Sequence, residues 1–311
     1  MQTEKPRRLT LLLPPWEVLE RQGDAAALAT LRARGDRHAQ DAPGRRAQQL
    51  RVFDIVPKPP AWAAITRQVD CGDSAGSLWL RADPAHLRVE AGGLRLLSWG
   101  ESLVLEAAQA KALAAAVLPV FHALGMTFSA PVPHRWYVQL ARGRPIPQFV
   151  DPEVALGALG SPLPEGTSGV AEWSRLLNET QMILHDHAVN RRRAQQGLLP
   201  VNSLWLWGAG ESPLKLQSRE ADAMISGDDE YGALARLAKV AIVPALGQAL
   251  ASASSAVVVD ALRAPRSDAL REAMSIHEGR NFETLRLDCA DGTVIDYKRW
   301  HRLRFWRRQP S

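Results

Sequence analysis

Residues 173–210 read WSRLLNETQMILHDHAVNRRRAQQGLLPVNSLWLWGAG and hold the most position-specific pattern in the chain. Apolar side chains recur every three or four residues in the first half of the stretch, which predicts a single long helix with one face on a core. Gly197 and Pro200 predict where that helix ends, because glycine readily adopts the left-handed C-cap conformation and proline cannot continue a helix. The apolar run 201–207 then predicts a buried strand.

The opposite face of the predicted helix is polar. Asn178, Gln181 and His185 follow one another at intervals of three and four, which places two amides and an imidazole on one stripe. Such a stripe predicts contact with a ligand or with neighbouring backbone. His187 adds a second imidazole, but positions i and i+2 of a helix lie about 200° apart, so we do not expect the two histidines to share a metal ion.

Polar residues and glycines also mark the turn and the strand that follow the helix. Asn190 and Asn202 flank the turn, where they either satisfy backbone groups at the helix and strand ends or contact a ligand. Gly208 and Gly210 follow the strand, where glycines serve a phosphate-binding loop or simply a tight turn. The candidate ligand-binding residues are Asn178, Gln181, His185, His187, Asn190, Arg193, Asn202, Gly208 and Gly210.

From His187 to Gly210 the chain follows the pattern HAVN-x-x-R-x-x-x-G-x-x-PVNSLWLWGAG. This pattern resembles a segment of the archaeal-type, cofactor-independent phosphoglycerate mutases, in which HPVN-x-x-R-x-x-x-G-x-x-PAN precedes an apolar strand and RGAG. Arg193 stands at the arginine of that pattern. The resemblance implies a partly alkaline-phosphatase-like segment, two divalent metal ions, a nucleophilic Ser or Thr, and scattered Asp and His ligands. Two metals suit phosphoryl transfer because both the attacking and the leaving oxygen need stabilisation.

The chain departs from this family where the metal ligands would lie. The first strand of such enzymes carries a metal-binding Asp-Gly pair, whereas Leu13 and Pro14 end the first predicted strand here. Near the C-terminus, neither His277 nor His301 stands next to an aspartate, and Trp207 replaces the arginine that precedes Gly-Ala-Gly in the mutases. These departures predict that the metal pair is lost, so we expect no metal and no cofactor.

A second resemblance covers most of the chain. It rests on the helix NETQM-x-LH-x-H-x-VN, the strand PVNSLWLWG, the upstream stretch LRADPAHLR and the terminal RFWRR. These motifs are similar to those of a small proteobacterial family labelled RpfE-type regulatory proteins. The resemblance implies a regulatory protein and brings no known reaction with it.

The composition is that of a globular protein. The 311 residues are 46% hydrophobic and 23% charged, which is enough to bury a sizeable core. Two cysteines are too few for a disulfide framework or a zinc site, which predicts a reducing compartment. The apolar run 9–13 is too short for a signal peptide or a membrane span. We therefore expect a cytoplasmic protein without a membrane span, and its net charge of +5 favours an anionic partner only slightly.

The order of these patterns predicts an α/β protein whose N-terminal half is α+β, with a mixed sheet flanked by helices. The clearest elements are strands at 9–13 and 256–259, a helix at 102–124, and a hairpin at 284–297 that turns at Asp291-Gly292. Residues 35–49 are polar without periodicity and indicate a surface loop.

A chain of this length is expected to form two domains or one large α/β body. Prolines and glycines dominate residues 141–169 with little periodicity, which is typical of a linker. We place the predicted boundary at residue 150, which gives an α+β domain at 1–150 and an α/β domain with the mutase-like signature at 151–311.

The C-terminal stretch 298–308 reads KRWHRLRFWRR and mixes basic with aromatic residues. Such a stretch could stack on nucleobases or lie at an anionic lipid surface. Large aromatics at a terminus more often dock on the core while arginines stay solvated, so nucleic acid is an unlikely partner.

Together these observations favour a non-catalytic regulatory or ligand-binding protein related to the mutases. Its expected partner is a small phosphorylated or anionic ligand, or another protein. One alternative is a phosphomutase or phosphate-ester hydrolase with an unrecognised site around His185, His187, Arg193 and the turn at 208–210. The other is nucleic-acid binding through the basic tail.

Overall fold

The computed structural model of the chain describes residues 7–22, 25–160, 169–251, 256–261, 273–275, 277–279 and 282–304. In chain order its strands are β1 Arg8–Leu13, β2 Asp36–Arg37, β3 Phe53–Val56, β4 Leu78–Glu90, β5 Gly93–Trp99, β6 Thr127–Val132, β7 Arg135–Leu140, β8 Leu159–Gly160, β9 Ser203–Gly210, β10 Lys215–Ser218, β11 Ala223–Ile225, β12 Ala241–Ile242, β13 Ala256–Asp260, β14 Thr284–Cys289 and β15 Val294–Lys298. Its helices are α1 Trp16–Gln22, α2 Ala25–Arg34, α3 Arg45–Val52, α4 Trp62–Cys71, α5 Ala107–Ala123, α6 Pro152–Ala155, α7 Val170–His185, α8 Ala188–Gln195, α9 Asp229–Leu237 and α10 Leu246–Ala251. Short 3-10 turns cover Gly100–Leu103 and Arg299–Leu303.

The chain forms two compact units. Unit 1 consists of Met1–Ile55 and Lys215–Ser311, and unit 2 of Val56–Leu214. Unit 2 is therefore a continuous segment inserted into unit 1, which differs from the predicted boundary at residue 150. The physical reason is long-range strand pairing, because β1 near the N-terminus lies between β13 and β14 of the C-terminal part.

Unit 1 is built on a seven-stranded sheet of order β12-β11-β13-β1-β14-β15-β2. The strands β12, β11, β13, β1 and β14 run parallel, and β15 and β2 add an antiparallel edge. In β1 the side chains of Leu9, Leu11, Leu12 and Leu13 are fully buried, as expected for a central strand of a covered parallel sheet. The predicted strands at 9–13 and 256–259 and the hairpin at Asp291-Gly292 are confirmed.

The polar segment 35–49 is not only a loop, as its sequence predicted. It contributes β2 and the first turns of α3, and Gln48 and Gln49 are fully buried. The amide of Gln48 donates to the carbonyl oxygens of Leu13 (3.0 Å) and Asp288 (2.7 Å), where β1 and β14 end. This helix is buried through hydrogen bonds rather than an apolar face, so periodicity does not reveal it.

Unit 2 contains an antiparallel sheet of order β6-β7-β4-β5-β8, with β9 also paired to β4. The 13-residue strand β4 is its centre, because it pairs with β7, β5 and β9 along different parts of its length. Alternate β4 side chains face opposite sides of the sheet. Leu80 and Ala82 join the core formed with α5 and α7, while Trp79 packs with residues of α4.

The fold is thus mixed α/β, with sheets flanked by helices, and the predicted fold class is confirmed. The predicted helix at 102–124 is confirmed as α5, although residues 100–103 form a 3-10 turn instead of its first turn. Within the described part of the chain, every helix is too short or too polar to cross a lipid bilayer.

The insertion predicts how fragments of the chain behave. We expect residues 56–214 expressed alone to unfold cooperatively in urea, because they contain every strand of their own sheet. A fragment of residues 151–311 should not, since it lacks β1 and β4, the central strands of both sheets. Circular dichroism against urea concentration checks this, and cooperative unfolding of 151–311 would instead support the boundary at residue 150.

Candidate functional site

The predicted long helix is interrupted at residues 186–187, so the expectation of a single helix is wrong. α7 ends at His185 and α8 begins at Ala188, with His187 as its N-cap. The Nδ1 atom of His187 accepts a hydrogen bond from the Val189 backbone N–H at 3.2 Å. Partial burial, together with the nearby charges of Arg191 and Arg192, lowers the pKa of His187. A lowered pKa keeps the ring neutral, which this accepting role requires.

Asn190 joins the end of α7 to the segment that leads into β9. Its Nδ2 donates to the carbonyl oxygens of Leu184 and Val201, both at 2.7 Å, and its Oδ1 accepts from the Val201 N–H at 2.8 Å. The side chain is buried. All three of these hydrogen bonds go to the chain's own backbone, which favours the structural one of the two roles that the sequence left open.

Arg193, the arginine of the mutase-like pattern, is fully buried. Its guanidinium donates to the carbonyl oxygens of Leu199 (3.0 Å) and Leu103 (2.6 Å) and to Oε1 of Gln109 (2.8 Å). Burial lowers the pKa of this arginine, and the nearby charge of Glu106 opposes that effect. The side chain ties α8 to the start of α5 and presents no free edge to a ligand.

Asn202 lies just before β9, and its side chain continues the hydrogen bonding between β9 and β4 by one further residue. Its Oδ1 accepts from the Leu87 N–H at 2.8 Å and its Nδ2 donates to the Leu87 carbonyl oxygen at 2.7 Å. The side-chain amide thus replaces the backbone of one paired strand residue.

Gly208 and Gly210 lie inside β9 rather than in a turn after it, so the predicted loop is wrong. Both have positive φ angles, of 66° and 151°. A Cβ atom on Gly208 would lie 3.0 Å from Cβ of Trp62, and one on Gly210 would lie 2.5 Å from Cβ of Ala61. The glycines therefore allow the start of α4 to approach the strand, which explains them without a bound phosphate.

Gln181, His185 and Asn202 do meet, in an open groove of about 410 Å³ between α7 and the β4–β5 hairpin. Asn178 is exposed on α7 and is not part of its lining. The remaining wall is mostly apolar, and Val89 and Met182 are 81% and 74% exposed. The other lining residues are Leu87, Leu94 and Asp186. Part of the predicted polar stripe thus borders a surface with exposed apolar side chains.

Unit 2 also buries a charged pair that the sequence reasoning missed. Arg81 donates to both carboxylate oxygens of Asp83, each at 2.8 Å, and both residues are buried. Trp207, which replaces an arginine of the mutase pattern, donates from Nε1 to the same carboxylate at 2.8 Å. The signal was an arginine and an aspartate two residues apart in β4, which places them on one face of the sheet.

In unit 1, acidic residues follow the carboxyl ends of the parallel strands, where open α/β sheets bind their ligands. Asp260, at the end of β13, accepts from Oγ of Ser226 at 2.7 Å. Asp228 caps α9 by accepting from the N–H groups of Glu230 (2.9 Å) and Tyr231 (3.0 Å), and it forms an ion pair with Arg45. These carboxylates therefore have partners within the chain.

Asp288, in β14, lies beside the end of β1. Its Oδ2 and Oδ1 accept from Nε and Nη2 of Arg51 at 2.9 and 2.7 Å. Burial raises the pKa of Asp288, and the hydrogen bond from Arg51 opposes that effect. The guanidinium of Arg51 thus compensates the negative charge of the buried Asp288 carboxylate.

The donor set at this edge does not fit the metal pair that the mutase resemblance implies. Two divalent ions require several anionic or imidazole ligands that converge. Across the residues that the structure describes, no group of three or more His, Cys, Asp or Glu side chains is arranged to hold a metal ion. Arg45 and Arg51 pair with Asp228 and Asp288, and β1 ends in Leu13 without a carboxylate.

The basic aromatic tail is described only as far as Arg304; Phe305 and Trp306 lie outside the described residues. His301 is buried with Nε2 3.2 Å from Oδ2 of Asp36, and Nη1 of Arg304 lies 2.5 Å from Oδ1 of the same carboxylate. Trp300 remains 54% exposed. Two residues of the tail are thus docked, but they are a histidine and an arginine, whereas the sequence favoured docked aromatics and solvated arginines.

The chain shows local similarity to known enzymes. No protein-family model matches it. Over 51 residues, 16% of its length, it is 43% identical to a probable 2,3-bisphosphoglycerate-independent phosphoglycerate mutase of Geobacter sulfurreducens. Over 38 residues, 12% of its length, it is 45% identical to an enzyme of that name from Methanothrix thermoacetophila. These matches span only 12% and 10% of the relatives' own lengths.

Two solved structures resemble the whole chain weakly. The cofactor-independent phosphoglycerate mutase of Thermoplasma acidophilum is 18% identical with a TM-score of 0.42, covering 94% of this chain and 90% of its own. A protein from Pyrococcus horikoshii is 12% identical with a TM-score of 0.45, covering 94% and 88%.

The structure predicts that alanine substitution of two asparagines in this region changes the free energy of unfolding by very different amounts. Asn190→Ala should lower the free energy of unfolding by about 2–3 kcal/mol, because it leaves buried backbone groups of Leu184 and Val201 without partners. Asn178→Ala, on the exposed face of α7, should change it by less than about 0.5 kcal/mol. Urea unfolding followed by circular dichroism measures both. If the Asn190→Ala protein is as stable as the Asn178→Ala control, the structural role of Asn190 is wrong and it remains a candidate ligand-binding residue.

Proposed function

We propose that this chain is a non-catalytic regulatory protein that binds a ligand or partner and is related to the cofactor-independent phosphoglycerate mutases. The observation that carries the proposal is the pairing of Asp228 and Asp288 with Arg45 and Arg51 at the carboxyl edge of the parallel sheet. A phosphoryl-transfer site of the implied type needs such carboxylates for cations. Here they are compensated by the chain itself.

The hydrogen bonds of the mutase-like segment support the same conclusion. Asn190, Arg193 and Asn202 all bond to backbone groups of their own unit. A segment whose polar residues complete the fold can be shared between two proteins without a shared reaction. The local identity to the mutases is therefore compatible with a protein that does not turn over phosphoglycerate.

The groove beside α7 is the proposed binding surface. Its exposed apolar side chains, Met182 and Val89, suit a partner that contributes an apolar group. Asp186 at its edge disfavours a phosphorylated ligand, because like charges repel. Of the two partner classes expected from the sequence, the groove thus favours a protein. The regulatory role, the RpfE-type relationship and the cytoplasmic location form part of this proposal.

The proposal predicts no turnover of phosphoglycerate. Purified protein of residues 1–311 incubated with 3-phosphoglycerate should yield no 2-phosphoglycerate above background, with Mn²⁺, with Mg²⁺ or without either. The Thermoplasma acidophilum enzyme, assayed in parallel, provides the positive control. Metal-dependent turnover that disappears in an Asp288→Asn variant would overturn the proposal.

The same protein should release no heat on titration with 3-phosphoglycerate in a calorimeter. If 3-phosphoglycerate does bind, and if a Gln181→Ala, His185→Ala double variant loses that binding, the ligand of the groove is a phosphorylated molecule. In that case the protein would bind such a ligand without turning it over.

A further inference from the structure

We infer that the 3-10 turn Arg299–Leu303 is a contact site for anionic lipid bilayers: Trp300 and Leu303 enter the bilayer surface, and the basic side chains around them bind lipid headgroups. The inference goes beyond the proposed function, because that function concerns the groove of unit 2 and this turn belongs to unit 1. It holds whether or not the groove binds a partner.

Two large apolar side chains of this turn face solvent. Trp300 is 54% exposed and Leu303 is 61% exposed. Side chains three residues apart in a 3-10 helix lie on the same side, because that helix has three residues per turn. The two side chains therefore form one apolar patch, which we call the apolar tip, rather than two isolated exposed residues.

The apolar tip is held in place by the docked residues beside it. The His301 side chain is fully buried with Nε2 3.2 Å from Oδ2 of Asp36, and Nη1 of Arg304 lies 2.5 Å from Oδ1 of the same carboxylate. The guanidinium of Arg304 lies over the Trp300 ring at 4.2 Å, and the His301 ring meets its edge at 4.3 Å. Trp300 is thus exposed yet fixed, so little conformational entropy remains to be lost when it binds.

Uncompensated positive charge surrounds the apolar tip. The side chains of Arg34, Lys298, Arg299 and Arg302 form no ion pair within the part of the chain that the structure describes. Nη1 of Arg34 donates to the carbonyl oxygen of Arg302 at 3.0 Å, which places that guanidinium at the turn. Glu278 is an exposed acidic residue beside them, since its carbonyl oxygen accepts from Arg299 at 3.1 Å. Four cations against this one carboxylate leave a positive surface.

The chemistry of this surface favours a lipid bilayer over a nucleic acid. Tryptophan and leucine are typical of the residues that peripheral proteins place between headgroups and acyl chains, and nearby lysines and arginines bind anionic headgroups. A nucleic acid would stack on an aromatic ring and gain nothing from Leu303. The leucine is the more exposed of the two, and Arg304 already covers one face of the Trp300 ring. An anionic bilayer uses both side chains and the cations around them.

The test is co-sedimentation of the protein of residues 1–311 with vesicles of equal parts phosphatidylglycerol and phosphatidylcholine. Phosphatidylcholine vesicles serve as the neutral comparison and should bind much less protein. Raising NaCl to about 0.5 M should remove most of the binding to anionic vesicles, because salt screens the basic side chains. A Trp300→Ala, Leu303→Ala double variant should bind about tenfold more weakly or worse. Arg302→Ala should bind about fivefold more weakly.

Matched controls separate this site from the attraction that a net charge of +5 exerts on any anionic surface. Arg21→Ala removes an exposed arginine elsewhere in unit 1, one that pairs with Glu17. Leu214→Ala removes a leucine of unit 2 that is 89% exposed. Both controls should bind anionic vesicles within about twofold of the unmodified protein, because neither residue belongs to the apolar tip or to its basic surroundings.

Circular dichroism establishes that each variant is folded, and if the double variant is not, Leu303→Ser alone takes its place. The inference is overturned by an absence of binding to anionic vesicles. It is also overturned if Arg21→Ala and Arg302→Ala weaken binding equally while the loss of the apolar side chains has no effect. Binding to oligothymidylate that depends on Trp300, without binding to vesicles, would assign the apolar tip to single-stranded nucleic acid instead.

Discussion

Both units depend on one constraint: where a buried strand begins or ends, its last polar groups must find partners inside the protein. In unit 1 the partner is the side-chain amide of Gln48, which donates hydrogen bonds to the carbonyl groups of Leu13 and Asp288 at the ends of β1 and β14. In unit 2 it is Asn190, which binds both the N–H and the carbonyl group of Val201 just before β9. Water cannot reach these positions, so each missing bond would cost about 1–3 kcal/mol.

This constraint links elements that are distant in sequence. α3 is held where it is because β1 and β14 end beneath it, and those strands are adjacent only because the N-terminal and C-terminal parts of the chain form one sheet. In unit 2, Arg193 connects α8 to the start of α5, whose sequence lies some 90 residues earlier. Polar side chains therefore fix the arrangement of apolar layers that would otherwise pack in several ways.

The sequence correctly predicted the elements that have a local pattern of apolar or turn residues. β1, β13, α5 and the hairpin at Asp291-Gly292 all have apolar runs or turn residues that depend little on the rest of the chain. The helix break at His187 was missed because its N-cap hydrogen bond from Val189 is local and leaves the apolar spacing intact. The helix α3, whose buried residues are Gln48, Gln49 and Val52, was missed because the amide of Gln48 has its partners far away in sequence. The insertion of unit 2 was missed for the same reason, since strand pairing over about 250 residues leaves no local pattern.

The candidate site residues also fall into two groups: those that local spacing places correctly and those whose role depends on the rest of the fold. Spacing correctly placed Gln181 and His185 on one face of a helix, but the ligand role of Asn190 and Arg193 could be judged only once their backbone partners were known. A side chain that binds several backbone groups in a buried position is retained by stability alone, whereas a metal ligand is retained only while the metal is used. A buried carboxylate needs a compensating positive charge. The arginines beside Asp228 and Asp288 supply it, and this is the physical basis of the proposal that the local likeness to the mutases does not extend to their reaction.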